Sequence, residues 1–387
     1  MIERNRLQIL YDISVLGASM VNQTARTGVF RYVKNIYNGL MNDRYLNLLP
    51  FSLKQHYKQS LKFLKTEKQF GFFKRPSLFD EKSYSTINKN CMQLFHSPYL
   101  AIPEEISKNR NLKKVLTVYD LIPLLFPEYF NKEQVDAYKK ILSSIKPETK
   151  IICISESTKS DLCNHIKHIN PDDVAVTYLG ASSLFQRVRS EERIQKVRKK
   201  YRIPDGQYIL SLSTLEPRKN TAFTIDAFIM LVQENNIKDL NLVLVGTRGW
   251  KYDEIFDKIN KHSYLASRII ITGYVKDEDL APLYSGAMCF VYPSKYEGFG
   301  LPTLEAMQCE IPVITSDNSS LPEVVGNAGV LIDISKPENL TVKMLELYSD
   351  NNRWYVFSKR SIEQAKKFSW ERCVNETIQF YNKAFYK

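Results

Sequence analysis

The sequence predicts an α/β protein of two Rossmann-like domains, each an open parallel sheet with helices on both faces. Three observations carry that expectation. Short, almost wholly apolar runs recur along the chain and end at glycine, proline or a polar loop. Segments of helical character fill the intervals, which is the alternation of a sheet buried on both sides. The length, 387 residues, suffices for two substantial cores.

In chain order, candidate strands fall at 7–13, 46–53, 92–96, 114–119 and 149–155, with helices at 28–42, 132–145 and 158–165. The run 174–180 closes the first domain. The charged stretch 186–202, itself able to form a helix, carries the boundary. The second half is clearer, with strands at 208–213, 240–246, 268–273, 289–293 and 311–315 and a helix at 221–233. A final helix starts near Phe368-Ser369-Trp370. The expected domains are 1–185, 186–367, and a terminal helix 368–387 packing back on the N-terminal domain. Open parallel sheets bind ligands at the carboxyl ends of their strands, so the crevice where the two domains face each other is the expected site. No Gly-x-Gly-x-x-Gly turn follows the first strand and no P-loop is present, which weighs against a single dinucleotide-binding domain.

Bulk composition narrows the class. Hydrophobic and charged contents of 44% and 25% are ordinary for a globular chain. No apolar run has the length of a membrane span. The N-terminus lacks the apolar core of a signal peptide and reads as a strand. The six cysteines are scattered without a Cys-x-x-Cys pair, as buried free thiols in a reducing cytosol would be. A cytoplasmic location is expected. The net charge of +12 suits nucleic acid, an anionic membrane surface or phosphate-bearing substrates, and does not choose between them.

Two segments carry chemistry. Leu215-Glu216-Pro217-Arg218-Lys219-Asn220 follows a strand and precedes a helix. Arg218 offers a planar fork for phosphate oxygens, Lys219 a point charge, and the helix beyond them free N–H groups. The alternative is a solvated basic turn. Tyr296-Glu297-Gly298-Phe299-Gly300-Leu301-Pro302-Thr303-Leu304-Glu305 is the more informative segment. Its glycines let backbone approach a ligand, and Pro302 suits the start of a helix. Glu305, placed in the first helical turn, can accept from vicinal ribose hydroxyls. Glu297 can reach sugar hydroxyls. The alternative here is a capping acid beside a flexible loop.

These segments resemble the family 4 glycosyltransferases of GT-B architecture, in which two Rossmann-like domains face each other across a cleft. The resemblance covers nearly the whole chain and is strongest from Tyr208 to Asp333. The seven residues between Glu297 and Glu305 match that family's acidic pair. Ser316-Asp317-Asn318-Ser319-Ser320-Leu321-Pro322-Glu323-Val324 and Asn327-Ala328-Gly329 resemble its bacterial surface-polysaccharide branch. The resemblance implies that Arg218 and Lys219 bind the donor diphosphate and that Glu305 holds the ribose. It also implies that Glu297 contacts the donor sugar with Gly298, Phe299, Gly300 and Leu301, and that Gly273-Tyr274-Val275 flanks the base. Gly28, in Thr27-Gly28-Val29-Phe30-Arg31-Tyr32, would approach the sugar and phosphate, with Arg31 read as structural.

Two departures stand out. Tyr119 precedes Asp120 where many relatives carry histidine, and Ser213 stands where many have arginine or glycine. A phenol is a poor base at neutral pH. Asp120 could take the acceptor's proton or be a turn residue. His96 could line the acceptor cleft or be a satisfied structural histidine. A retaining reaction in which the leaving phosphate takes the proton needs charge stabilisation more than a protein base. Arg218 and Lys219 can supply it, so no metal or other cofactor is expected.

Between 51 and 75, Lys54, Lys58, Lys62, Lys65, Lys68, Lys74 and Arg75 face a single acid, Glu67. Phe51, Tyr57, Phe63, Phe70, Phe72 and Phe73 interleave with them. That mixture suits monotopic attachment to the anionic inner leaflet, beside a polyprenyl-diphosphate-linked or oligosaccharide acceptor. A lysine-rich solvated helix with core aromatics is the alternative. Branch resemblance alone points to mannose transfer from GDP-mannose in O-antigen, capsule or lipopolysaccharide assembly. dTDP-rhamnose, UDP-glucose, UDP-galactose and UDP-N-acetylglucosamine remain alternatives. A same-fold epimerase or phosphorylase, or a non-catalytic sugar- or nucleic-acid-binding protein, is the contrasting reading. No nucleic-acid partner is expected.

Overall fold

The computed structural model describes residues 6–21, 28–66, 78–86, 92–249 and 253–386. The chain divides into two compact units, Met1–Leu179 with Ser369–Lys387, and Gly180–Phe368.

The first unit holds β1 (Leu7–Asp12), β2 (Leu46–Phe51), β3 (Leu94–Ser97), β4 (Lys113–Val118), β5 (Lys150–Cys153) and β6 (Val174–Val176) in the order β2-β1-β3-β4-β5-β6. All pairings are parallel. Leu10, Phe95, Leu116 and Ile151 are fully buried in its core. Several predicted strands run a residue or two too far, because an apolar run marks burial and not the last ladder hydrogen bond. The helix Trp370–Tyr386 belongs to this unit and packs on the helix Gly28–Met41. Gly39 makes that contact possible, since a Cβ there would lie 2.4 Å from Val374 Cγ2.

The basic segment lies partly within the described residues. The helix Tyr57–Thr66 leaves Lys54, Lys58, Lys62 and Lys65 exposed along or just before it. Phe51 and Phe63 are buried, and the half-buried Tyr57 donates its hydroxyl to Leu78 O at 3.2 Å. These aromatics therefore serve the core and the lysines serve solvent. The helix packs so closely on Ser14–Ala18 that a Cβ on Gly17 would strike Ser60. Glu67, Lys68, Lys74, Arg75, Phe70, Phe72 and Phe73 lie outside the described residues, as does Thr27.

Asp12 closes β1 at 2% exposure. Its Oδ1 accepts from the Ser14 N–H (2.8 Å) and hydroxyl (2.5 Å), while Oδ2 is buried without a partner. Burial raises its pKa to about 6 against the pull of the Ser14 bonds. The folded state then holds the proton more tightly than the unfolded chain does. Stability falls as pH rises from about 4 to about 6 and levels off above. Asp12→Asn keeps an acceptor for Ser14 and is expected to raise the unfolding free energy near pH 7.5 by up to about 3 kcal/mol. Near pH 4 the gain is expected to vanish. An equal gain at both pH values in urea melts would remove the carboxylate as its cause.

The second unit holds β7 (Gln207–Leu212), β8 (Leu240–Val245), β9 (Ile269–Gly273), β10 (Cys289–Tyr292), β11 (Val313–Ser316) and β12 (Val330–Ile332). Their order is β12-β11-β10-β7-β8-β9, again all parallel. Every residue of β8 is buried, as a central strand covered on both faces requires. The charged stretch 186–202 contributes the helix Glu191–Lys200. From β7 the chain builds outward to the β9 edge, then returns to lay β10 against the other side of β7. The order reverses between β7 and β10, and such a switch point opens a crevice at the carboxyl ends. Among the described residues no helix is long and apolar enough to cross a membrane.

Candidate functional site

Both chemistry-bearing segments sit at that switch point. Pro217–Lys219 makes one 3-10 turn after β7, and Asn220 ends it in a left-handed conformation (φ 59°) before the helix Thr221–Glu234 begins. After β10, the loop 293–300 ends at Gly300 (φ 100°), and Leu301–Gln308 forms the next helix with Pro302 in its first turn. A Cβ on Gly300 would meet Leu321 Cδ2 at 2.6 Å, so both its backbone and its neighbour require glycine. Because β7 and β10 are adjacent, turns far apart in sequence touch. Lys295 N donates to Arg218 O at 2.9 Å, and Arg218 Nη1 donates to Tyr296 O at 2.7 Å.

The charges meet on one atom. Lys219 Nζ lies 2.6 Å and Arg218 Nη1 3.2 Å from Glu297 Oε1. The Tyr292 hydroxyl (3.0 Å) and the Ser294 hydroxyl (2.5 Å) donate to the same oxygen. Lys219 also donates to the Tyr292 oxygen at 2.8 Å, and Arg218 Nη2 pairs with Glu216 at 2.8 Å. Ser319 and Ser320 brace the Glu297 backbone from the next loop. Burial disfavours the Glu297 charge, yet Lys219 and Arg218 outweigh it and hold the carboxyl at about 2. Burial, opposed by Glu297, pulls the Lys219 pKa below its usual value. Burial and the neighbouring carboxylate keep Tyr292 protonated, so it can donate and accept at once. All these side-chain bonds use Oε1 and none uses Oε2.

Glu305 is 3% exposed and accepts from the Tyr284 hydroxyl through Oε2 at 3.2 Å. Counting from Leu301 it occupies the second helical turn and not the first, and it is among the buried residues of that helix. Gly298 and Phe299 are buried, and Phe299 packs edge-on against Phe368 at 5.8 Å. Gly273 (φ 71°) ends β9, with Tyr274 70% exposed and Val275 buried. That loop lies two strands from β7, about 10 Å away at the usual strand spacing.

The other candidates belong to the first unit. Gly28 opens the helix Gly28–Met41. Asp120 accepts the Ile122 N–H on Oδ1 at 2.9 Å, a turn role, and its carbonyl takes the Tyr138 hydroxyl. Tyr119 is 8% exposed, edge-on to Tyr32 (5.4 Å) and Tyr99 (5.7 Å), with its buried hydroxyl unpartnered. His96 takes the structural alternative. It is fully buried, Nδ1 meets Tyr381 and Nε2 meets Thr117 at 2.8 Å, and burial drops its pKa to about 3. Neither ring nitrogen is left for an acceptor.

Sequence reasoning passed over Tyr292, Ser294 and Glu216 as site residues. It also missed the Asp-x-Asp spacing of Asp277 and Asp279, which opens the helix Asp277–Gly286. There Asp279 binds Lys200 (2.6 Å) and Tyr201 (2.8 Å).

Two Rossmann-like parallel-sheet units, one gathering two cations and two buried carboxylates at its switch point, define the GT-B class of glycosyltransferases. Residues 193–368 match the family model "Glycosyl transferases group 1". The O-antigen chain mannosyltransferase B of Escherichia coli is 35% identical over 289 residues, 74% of each chain. The serotype-specific mannosyltransferase WbdA of Escherichia coli is 30% identical over 274 residues, which span 70% of this chain but 33% of that longer one. Among solved structures, Anabaena Alr3699/HepE in complex with UDP and glucose superposes with a TM-score of 0.71 at 15% identity, covering 98% of this chain and 100% of that one. The chain belongs to the group 1 glycosyl transferases.

Proposed function

We propose that this hexosyltransferase transfers mannose from GDP-mannose, with retention and without a metal, to a lipid-linked or glycan acceptor in O-antigen, capsule or lipopolysaccharide assembly. The observation that carries the reading is the convergence of Lys219 and Arg218 on Glu297 Oε1. A donor diphosphate offers those cations a stronger anion, and Glu297 Oε2 offers the sugar an acceptor. The C1–phosphate bond breaks as the acceptor oxygen bonds C1 on the same face. The acceptor's proton passes to the departing phosphate, which the two cations stabilise in place of a metal. Glu305 takes the ribose, and Gly273-Tyr274-Val275 flanks the base. Since Asp120 Oδ1 already caps a turn, proton transfer to the phosphate is favoured over transfer to this carboxylate. The mannose choice rests on the names of the relatives.

A thermal-shift series with GDP, UDP and dTDP tests the donor. GDP is expected to raise the melting temperature most. A larger shift with UDP would replace mannose by a UDP-linked sugar.

Peripheral attachment at the inner leaflet belongs to the same reading, now resting on the exposed lysines and not on aromatics. Flotation with anionic vesicles is expected at low salt and lost at about 0.5 M salt, where screening is short-ranged. Protein left in the soluble fraction at low salt would remove attachment from the proposal.

A further inference from the structure

We propose a second anion site, at the amino end of the C-terminal unit's sheet, that takes a phosphate monoester of a small sugar or nucleoside. A cavity of about 520 Å³ lies there, lined by Arg187, Arg189, Arg198, Glu191, Tyr348 and Trp354. That is a size suited to small ligands. Gln207, the first residue of β7, and Met288, just before β10, also line it. Arg218 and Glu297 follow the opposite ends of those same strands. The two anion cradles are therefore separated by the length of a strand, roughly 13–20 Å.

The cavity's charge is one-sided. Three guanidinium groups line it with Glu191 as the single acid among the lining residues. Arg189 is exposed and meets Glu310 only at 3.6 Å, a weak surface pair. Arg187 donates to Cys309 O at a long 3.5 Å and lies over the Trp354 ring at 6.0 Å. The Trp354 N–H is itself anchored on Met288 O at 2.5 Å, so the platform is fixed. Arg198, 8% exposed, spends one nitrogen on the carbonyls of Pro204 and Gly206, while its buried Nε has no partner. Burial presses against the Arg187 charge, and Arg189 adds to it, while Glu310 beside the cavity opposes them only in part. Gathering like charges this way costs folding free energy that an entering anion relieves. Guanidinium forks match the tetrahedral face of a phosphate monoester, and the rings of Trp354 and Tyr348 give its organic part a surface to lie on.

The test uses the full chain and three probes, namely inorganic phosphate, a hexose phosphate and a nucleoside monophosphate. Each is titrated by thermal shift into wild type, Lys219→Ala and the double variant Arg187→Gln/Arg189→Gln. At least one ester is expected to raise the melting temperature of wild type and of Lys219→Ala alike. In the double variant its apparent affinity is expected to fall at least about tenfold. The ester that shifts more identifies the organic part. Loss of the shift in Lys219→Ala would place the phosphate in the donor cradle and overturn the proposal. So would an unchanged shift in the double variant, or a response to inorganic phosphate equal to that of both esters. Melting without ligand shows whether the double variant folds. Should it not, Arg189→Gln alone, at an exposed position, carries the same comparison.

Discussion

Lys219→Ala is expected to cut turnover by a factor of about 10²–10³, the scale for removing one preorganised group that meets developing charge. A smaller loss is expected from Arg218, for a geometric reason. Arg218 is spread over Tyr296 O, Glu216 and Glu297, whereas Lys219 Nζ, among the described residues, hydrogen-bonds Glu297 and the Tyr292 hydroxyl. Lys219 is thus the cation that a diphosphate can recruit at least cost. The fold should survive, because Glu297 keeps Arg218, Tyr292 and Ser294. The check is kcat against KM for the donor, beside a melting curve. A loss confined to KM would make Lys219 a ground-state anchor and leave transition-state charge to Arg218. Near-normal rates would remove the site assignment.

Glu297→Ala carries the second large effect, and it reaches stability as well as rate. The structure shows that Glu297 is the anion on which two largely buried cations close. Removing one partner of such a cluster costs about 3–5 kcal/mol. Turnover should vanish and the melting temperature should fall. Nucleoside diphosphate should restore more stability to Glu297→Gln than it adds to wild type, since the diphosphate fills a gap that wild type has already filled. A smaller shift in the variant would mean that phosphate binds elsewhere. The pH dependence gives an independent reading. The carboxyl sits at about 2 when folded, below its unfolded value near 4.5. Its contribution is present above pH 4.5 and is lost as pH falls towards 2. Wild type should lose on the order of 3 kcal/mol across that window from this group, and Glu297→Gln should not.

Much of this was legible because glycine, proline and charge punctuate the sequence at the switch point. Gly300 and Pro302 announce a sharp turn into a helix, and Arg218-Lys219 announce a cationic turn, which the structure closes on Glu297. What the sequence hides is which residues share an atom. Tyr292 looks like any aromatic of a buried strand, and only the pairing of β7 with β10 brings its hydroxyl between Lys219 and Glu297. His96 is ambiguous until Tyr381, far along the chain, arrives to occupy its ring. Phe63 in a lysine-rich helix reads equally well as a lipid anchor or as core, and only the packing of Tyr57–Thr66 on Ser14–Ala18 decides it. β12, with three residues, is too short for any periodicity to register.

The placement of Trp370–Tyr386 orders events during synthesis. Residues 180–368 form an uninterrupted stretch and can collapse as soon as they leave the ribosome. The first unit emerges earlier yet lacks a wall of its core. Until Trp370–Tyr386 is translated, Gly39 has no Val374 above it and His96 has no Tyr381. The half of the protein that is made first is therefore the half that must wait to finish folding. A chain cut short near residue 368 would carry a complete C-terminal unit tethered to an incomplete N-terminal one.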